Sequence, residues 1–127
     1  MQITSDTKNG VATLKFSGRL IFDQTLLSLR NQIGQFLDSG VTRFVFDVSG
    51  VPHCDSAGCG EMIGVYSSVR KAGGAIAVVN PTERVRALWT RIKLTDVLPI
   101  FDRIDEAEEY VRRHKPPYVA PSGLDLV

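Results

Sequence analysis

Around Asn9-Gly10 apolar and polar positions alternate: Ala12, Leu14 and Phe16 fall on one face of an extended segment, and Val11, Thr13 and Lys15 on the other. That period of two belongs to a strand with one buried face. Asn-Gly is the dipeptide favoured where both central residues of a tight turn need positive φ. Residues from about Gln2 are therefore expected to form the first strand of an opening β-hairpin. After Gly18 the period changes to a helical one, with Leu26, Leu29, Ile33, Phe36 and Leu37 on one stripe, Asp23 as N-cap and Gly40 as the stop. Phe44-Val45-Phe46-Asp47-Val48, closed by Ser49-Gly50, is an aromatic and β-branched run that reads as a buried strand.

A second helix is expected from Asp55, burying Cys59, Met62, Ile63, Tyr66 and Val69 and ending at Gly73-Gly74. Ala75 to Val79 reads as another buried strand. Asn80-Pro81-Thr82-Glu83 offers an N-cap at Asn80, proline in the first helical position and an acid at N3, predicting a third helix that buries Val85, Leu88, Trp89 and Ile92. Val97 to Phe101 is a last strand, confined to an edge by Pro99. Asp105 with Glu108 repeats the capping pattern and opens a final helix with Ala107, Tyr110 and Val111 inward. Strand and helix alternate after the hairpin, so an α/β domain is expected, with a mixed central sheet and about four helices. Three of the 13 residues from Lys115 onward are proline, which predicts a domain over 1–114 and a Pro-rich tail over 115–127.

Composition narrows the function. The 127 residues are 43% hydrophobic, the size and apolar content of one domain with one core. Fifteen Lys+Arg against 14 Asp+Glu leave a formal charge of +1, with no global field to attract nucleic acid or an anionic membrane. The basic residues Arg84, Arg86, Arg91, Lys93, Arg112 and Arg113 are interleaved with acids, as on solvated helix faces. The uncharged stretch Ala72 to Thr82 is well short of the ~18 apolar residues of a membrane span, and no signal-peptide core opens the chain. A soluble protein of the cytoplasm is expected, without membrane insertion.

The informative segment is Val51-Pro52-His53-Cys54-Asp55-Ser56-Ala57-Gly58-Cys59-Gly60, where a buried strand hands over to a helix. With Asp55 as N-cap, Ser56 occupies N1 and its hydroxyl stands at the mouth of the helix. Gly58 and Gly60 remove bulk from the first turns, either for close helix–sheet packing or for the approach of a partner's backbone or a phosphate. Cys54 and Cys59 are spaced as neither a redox C-x-x-C nor a zinc knuckle. They fall at N′ and N4, the two positions of a hydrophobic staple, and are expected to be small buried groups without metal. His53 is expected to flank a partner surface. Enzyme chemistry finds little to build on. Ser56 lacks the first glycine of a nucleophile elbow, His114 is the only downstream histidine, and P-loop, dinucleotide-binding G-x-G-x-x-G and zincin motifs are missing, so no cofactor is called for.

These residues resemble a known family. Gly18-Arg19-Leu20, Phe46-Asp47-Val48-Ser49-Gly50-Val51-Pro52 leading into Asp55-Ser56-Ala57-Gly58, Gly73-Gly74, and Asn80-Pro81 through Leu94 are similar to the STAS domain, and within it to the anti-sigma factor antagonists of bacterial partner-switching systems. The resemblance runs from about Val11 to Val111. It implies that Ser56 is phosphorylated by a cognate anti-sigma factor with serine kinase activity, and that a phosphatase reverses the step. It leaves room for a homodimer. Partner contacts are expected from Asp23, His53, Asp55, Ser56, Ala57, Gly58 and Glu61. Phosphate at Ser56 would add roughly −1.5 to −2 charges at a helix N-terminus, which the dipole tolerates by about 0.3–1 kcal/mol, but it would also place that charge beside Asp55 in an interface. The unphosphorylated form is thus expected to bind and the phosphorylated form to be released.

Two departures from the family pattern stand out. Ala57 replaces the second hydroxyl found in many relatives, leaving Ser56 unambiguous. Ile21-Phe22 intervene before Asp23, where relatives often carry an acid directly after Gly-x-Leu; a core or staple role is expected for the pair, with an apolar contact patch as the alternative. Two other functional classes remain: a STAS accessory subunit of a transporter or stress complex that is not phosphorylated, and a small-ligand-binding module.

Overall fold

In the computed structural model, which describes residues 1–113, the chain runs β1 (Gln2–Lys8), β2 (Val11–Ser17), α1 (Gln24–Asp38), β3 (Arg43–Gly50), α2 (Ser56–Lys71), β4 (Ala75–Val79), α3 (Glu83–Arg91), β5 (Ile100–Phe101) and α4 (Ile104–Arg113). The strands form one sheet in sequential order. β1 pairs antiparallel with β2, and every later pairing is parallel. Asn9 and Gly10 both have positive φ (54° and 79°), as the hairpin turn demands. The Pro-rich segment expected to be a tail lies outside the described residues.

Alternation along the strands divides the core. Ala12, Leu14 and Phe16 of β2, Phe44, Phe46 and Val48 of β3, and Ile76 and Val78 of β4 pack on one face with α1, α2 and Trp89 of α3. Phe16 and Phe44 each lie near Phe46, with ring centroids 5.1 and 6.4 Å apart. The opposite face carries Val11, Val45, Ala75, Ala77 and Val79 against Ala107 and Val111 of α4. Burial on both faces is why β3 and β4 read as nearly continuous apolar runs.

Three element ends differ from the sequence expectation. The N-cap of α3 is Thr82, not Asn80. Asn80 turns into the left-handed region (φ 56°) while its N–H still bonds the Phe101 carbonyl, and the Thr82 hydroxyl accepts from the Val85 N–H at 3.2 Å. Ile92, expected inside, falls at the C-cap and is 43% exposed, while Leu88 is half-buried. The last strand shrinks to Ile100–Phe101, because Leu94–Asp96 form a 3₁₀ turn and Pro99 contributes only its carbonyl, to the Val78 N–H. Finally, α4 begins one residue before Asp105, whose carboxylate instead serves the Glu106 N–H and Arg103.

Gly74 lets α2 return to the sheet: a Cβ there would overlap the Thr42 carbonyl oxygen, which belongs to rigid backbone. Gly74→Ala should therefore cost roughly 1–3 kcal/mol, the usual range for overpacking. The check is the urea midpoint, which should fall with the slope m unchanged.

Candidate functional site

The first turn of α2 is held by the loop between β2 and α1. The Leu20 N–H donates to the His53 carbonyl at 2.8 Å and the Asp55 N–H to the Leu20 carbonyl at 3.1 Å, so Leu20 and Cys54 pair as a one-residue parallel bridge. Gly58 sits directly beneath this clasp. A Cβ there would overlap the Leu20 carbonyl oxygen, so of the two readings of Gly58 the packing one holds. Gly60 is different: it is exposed, and nothing lies within 4 Å of its missing Cβ.

Asp55 joins the two loops through its side chain as well. One carboxylate oxygen caps α2 by accepting from the Gly58 N–H at 2.8 Å, and the other accepts from the Phe22 N–H at 3.4 Å. Ser56 follows at N1, exposed, and its hydroxyl makes no hydrogen bond among the described residues. The expected geometry of capping aspartate and presented hydroxyl is thereby found.

Asp23 caps α1, its carboxylate accepting from the Leu26 N–H at 2.9 Å, and that backbone hydrogen bond holds its carboxyl below the usual carboxylate range. Glu61, one turn beyond Ser56, pairs with Arg30 of α1 and ties the two helices together. Ala57 is half-buried and packs against the core rather than standing free. His53 lines a pocket of about 170 Å³ on the α3 flank with Cys54, Arg84, Val85, Leu88 and Arg91. Among the described residues no group of three or more His, Cys, Asp or Glu side chains is placed to hold a metal ion. No helix there is long and apolar enough to cross a membrane.

The expected core or staple role of Phe22 is not what the structure shows. Phe22 is 67% exposed and Leu27 55%, although they occupy N′ and N4 around the Asp23 cap. Two large apolar side chains thus stand exposed at the start of α1, and the backbone of one of them, Phe22, is tied to Asp55. The spacing around Asp23 carried the signal for the pair, but not for its exposure, because staple positions are normally covered.

The STAS domain profile matches residues 2–107, and the chain belongs to the STAS domain family. Over 79 residues, 62% of this chain and 70% of the other, it is 33% identical to a Thermotoga maritima protein described as a candidate anti-sigma factor antagonist. A Thermotoga maritima crystal structure of the same description superposes with a TM-score of 0.75 at 25% identity, covering 87% of this chain and 95% of that one. The phosphorylated form of the Bacillus cell fate determinant SpoIIAA shares the fold with a TM-score of 0.67 at 18% identity, covering 87% of this chain and 100% of that one.

Three outcomes are expected from this geometry. Asp55→Ala, which removes the cap and the tie to Phe22, should lower stability by about 0.5–2 kcal/mol in chemical denaturation. Gly58→Ala should be destabilised, whereas Gly60→Ala should be neutral or more stable by up to ~1 kcal/mol, because helix propensity alone is at stake in open space. Because the Asp23 carboxyl titrates below its unfolded value, its contribution is present above the unfolded pKa and is lost as pH falls through the folded one. The protection of amides at the start of α1, measured relative to their intrinsic exchange rates, should therefore fall below pH about 4. In Asp23→Asn, which keeps a capping oxygen, that pH dependence should disappear.

Proposed function

We propose that this chain is an anti-sigma factor antagonist that binds an anti-sigma factor with serine kinase activity while Ser56 is unphosphorylated and is released when that partner transfers the γ-phosphate of ATP to the Ser56 hydroxyl. The observation that carries the reading is the exposed, uncommitted Ser56 hydroxyl at N1 of α2, set beside a carboxylate already used by the fold. A phosphate at N1 meets the positive end of the helix, so the fold is compatible with it. The phosphorylated SpoIIAA that shares the fold supports this. In an interface the same phosphate stands next to Asp55, where repulsion and desolvation oppose binding.

The contact face in this reading comprises Asp23, Asp55, Ser56, Glu61 and the open side of Gly60, with Phe22 as its apolar anchor. His53 lies on its α3 flank. An exposed phenyl ring whose backbone N–H is tied to the Asp55 carboxylate suits a hot spot, since buried aromatic anchors dominate interface energies. The descriptions of the Thermotoga maritima relatives support the functional class. A phosphatase that removes the phosphate completes the cycle, and the cytoplasm, where sigma factors act, is the compartment this reading calls for. The domain of the reading is 1–114, with 115–127 as an appended tail.

Incubation with a kinase-type anti-sigma factor and ATP should add one phosphate, mapped to Ser56. Ser56→Ala should fold, stay unphosphorylated and remain bound, and Ser56→Glu should bind more weakly. Stoichiometric phosphorylation of Ser56→Ala would overturn the assignment. Phe22→Ala should keep its melting temperature yet weaken partner binding by about tenfold or more, roughly 1.4 kcal/mol.

A further inference from the structure

The cysteines are buried at N′ and N4 of α2, as their spacing implied, but the spacing did not show how they meet. Their Sγ atoms are 3.2 Å apart. Trp89, the only tryptophan in the sequence, is fully buried beside them, and its indole N–H makes no hydrogen bond among the described residues. A buried donor without a partner costs about 1–3 kcal/mol. The indole lies close enough to both sulfurs to favour the thiolate of each, without a formed hydrogen bond. The pair is unequal: Cys59 is held below the ordinary thiol range, chiefly by the hydrogen bond from Cys54, while that same bond, and then burial, push Cys54 up. Access reaches the pair from the Cys54 side: Cys54 forms part of the wall of the pocket of about 170 Å³ with His53, Arg84 and Arg91, and the Cys59 sulfur lies directly behind it at 3.2 Å. Two sulfurs in contact, a buried indole N–H left unpartnered beside them and a small opening are more than a staple requires.

We propose that Cys54 and Cys59 are a redox-active dithiol that a small hydroperoxide oxidises to an intramolecular disulfide closing over the Asp55-Ser56 turn. The Cys59 thiolate attacks one peroxide oxygen and the O–O bond breaks. Cys59 becomes a sulfenic acid, and the departing hydroxide takes up the proton Cys59 had released and leaves as water. The Cys54 sulfur then attacks the sulfenic sulfur. The S–S bond forms, the S–O bond breaks, and the second hydroxide leaves as water with the Cys54 proton. Two thiols and one hydrogen peroxide give one disulfide and two waters, and a dithiol reductant reverses the change. Closing the sulfurs from 3.2 Å to a bond of about 2.05 Å draws N4 of α2 toward the Leu20–Cys54 bridge. The residues between them are the cap and Ser56. Resting on the reading of Ser56 as phosphoacceptor, the disulfide also slows phosphorylation.

The test uses the full chain and hydrogen peroxide. Intact mass should fall by two hydrogen atoms, peptide mapping should join Cys54 to Cys59, and Trp89 emission should change and return with dithiothreitol. Amide exchange over residues 55–60 should slow in the oxidised form. Cys54→Ser should stop at a sulfenic acid on Cys59 that dimedone traps, and Cys54→Ala provides the same reading if the serine folds poorly. Unchanged mass, added oxygen alone, or a disulfide between chains in the wild type would overturn the proposal. Formation of the 54–59 disulfide with an unchanged rate of Ser56 phosphorylation would overturn the gating and leave the dithiol standing. If the reduced protein is not phosphorylated at Ser56, the proposed function fails, and the mass and exchange measurements still decide the dithiol.

Discussion

Everything at the candidate site depends on two main-chain hydrogen bonds at Leu20, one given to the His53 carbonyl and one accepted from the Asp55 N–H. They hold the loop after β2 against residues 53 to 55, and they exist only because residue 58 has no Cβ to collide with the Leu20 carbonyl. An alanine there would force α2 away from the loop. Asp55 would then lose its reach to the Phe22 N–H, and Ser56 would no longer be held against the loop that carries Phe22. A single missing methyl thus fixes the mutual position of two loops far apart in sequence.

The consequence is a site with a rigid floor and a simple surface. The floor is the phenylalanine-lined core beneath β2 and β3, buried throughout, in which a shift would cost packing across several residues. The surface presents one hydroxyl, a capping carboxylate on each of two helices, and an exposed phenyl ring. The Arg30–Glu61 pair ties α1 to α2 across this surface, but with Arg30 largely exposed it adds orientation more than stability.

Below the cap lies the polar cluster of Cys54, Cys59 and Trp89. It touches both the loop clasp and α3, so sulfur and indole join the aliphatic contacts that connect the end of α2 carrying Ser56 to the third helix. The Thr82 hydroxyl strengthens this side by reaching the Val51 carbonyl at 3.3 Å while it caps α3. Cap, clasp and sulfur pair are therefore neighbours in one structural unit.

Local rules were enough to read the hairpin, both buried strands, the caps at Asp23 and Asp55, and Ser56 at N1, because each depends on side-chain period or on hydrogen bonds within a few residues. Local rules failed at Asn80 and Thr82. There two capping residues compete, and the choice is made by pairing with Phe101 and Val51, which are distant in sequence. They also failed at Phe22, expected in a core or staple role but exposed among the described residues. The role of Gly58, left open between packing and partner approach, was settled by the Leu20 carbonyl, and the meeting of Cys54 with Cys59 and Trp89 by the docking of α3. The sequence by itself determined which residues form each element and which hydroxyl is presented. Tertiary structure decided what surrounds that hydroxyl, because exposure and long-range contact depend on how the elements pack and leave no periodic trace along the chain.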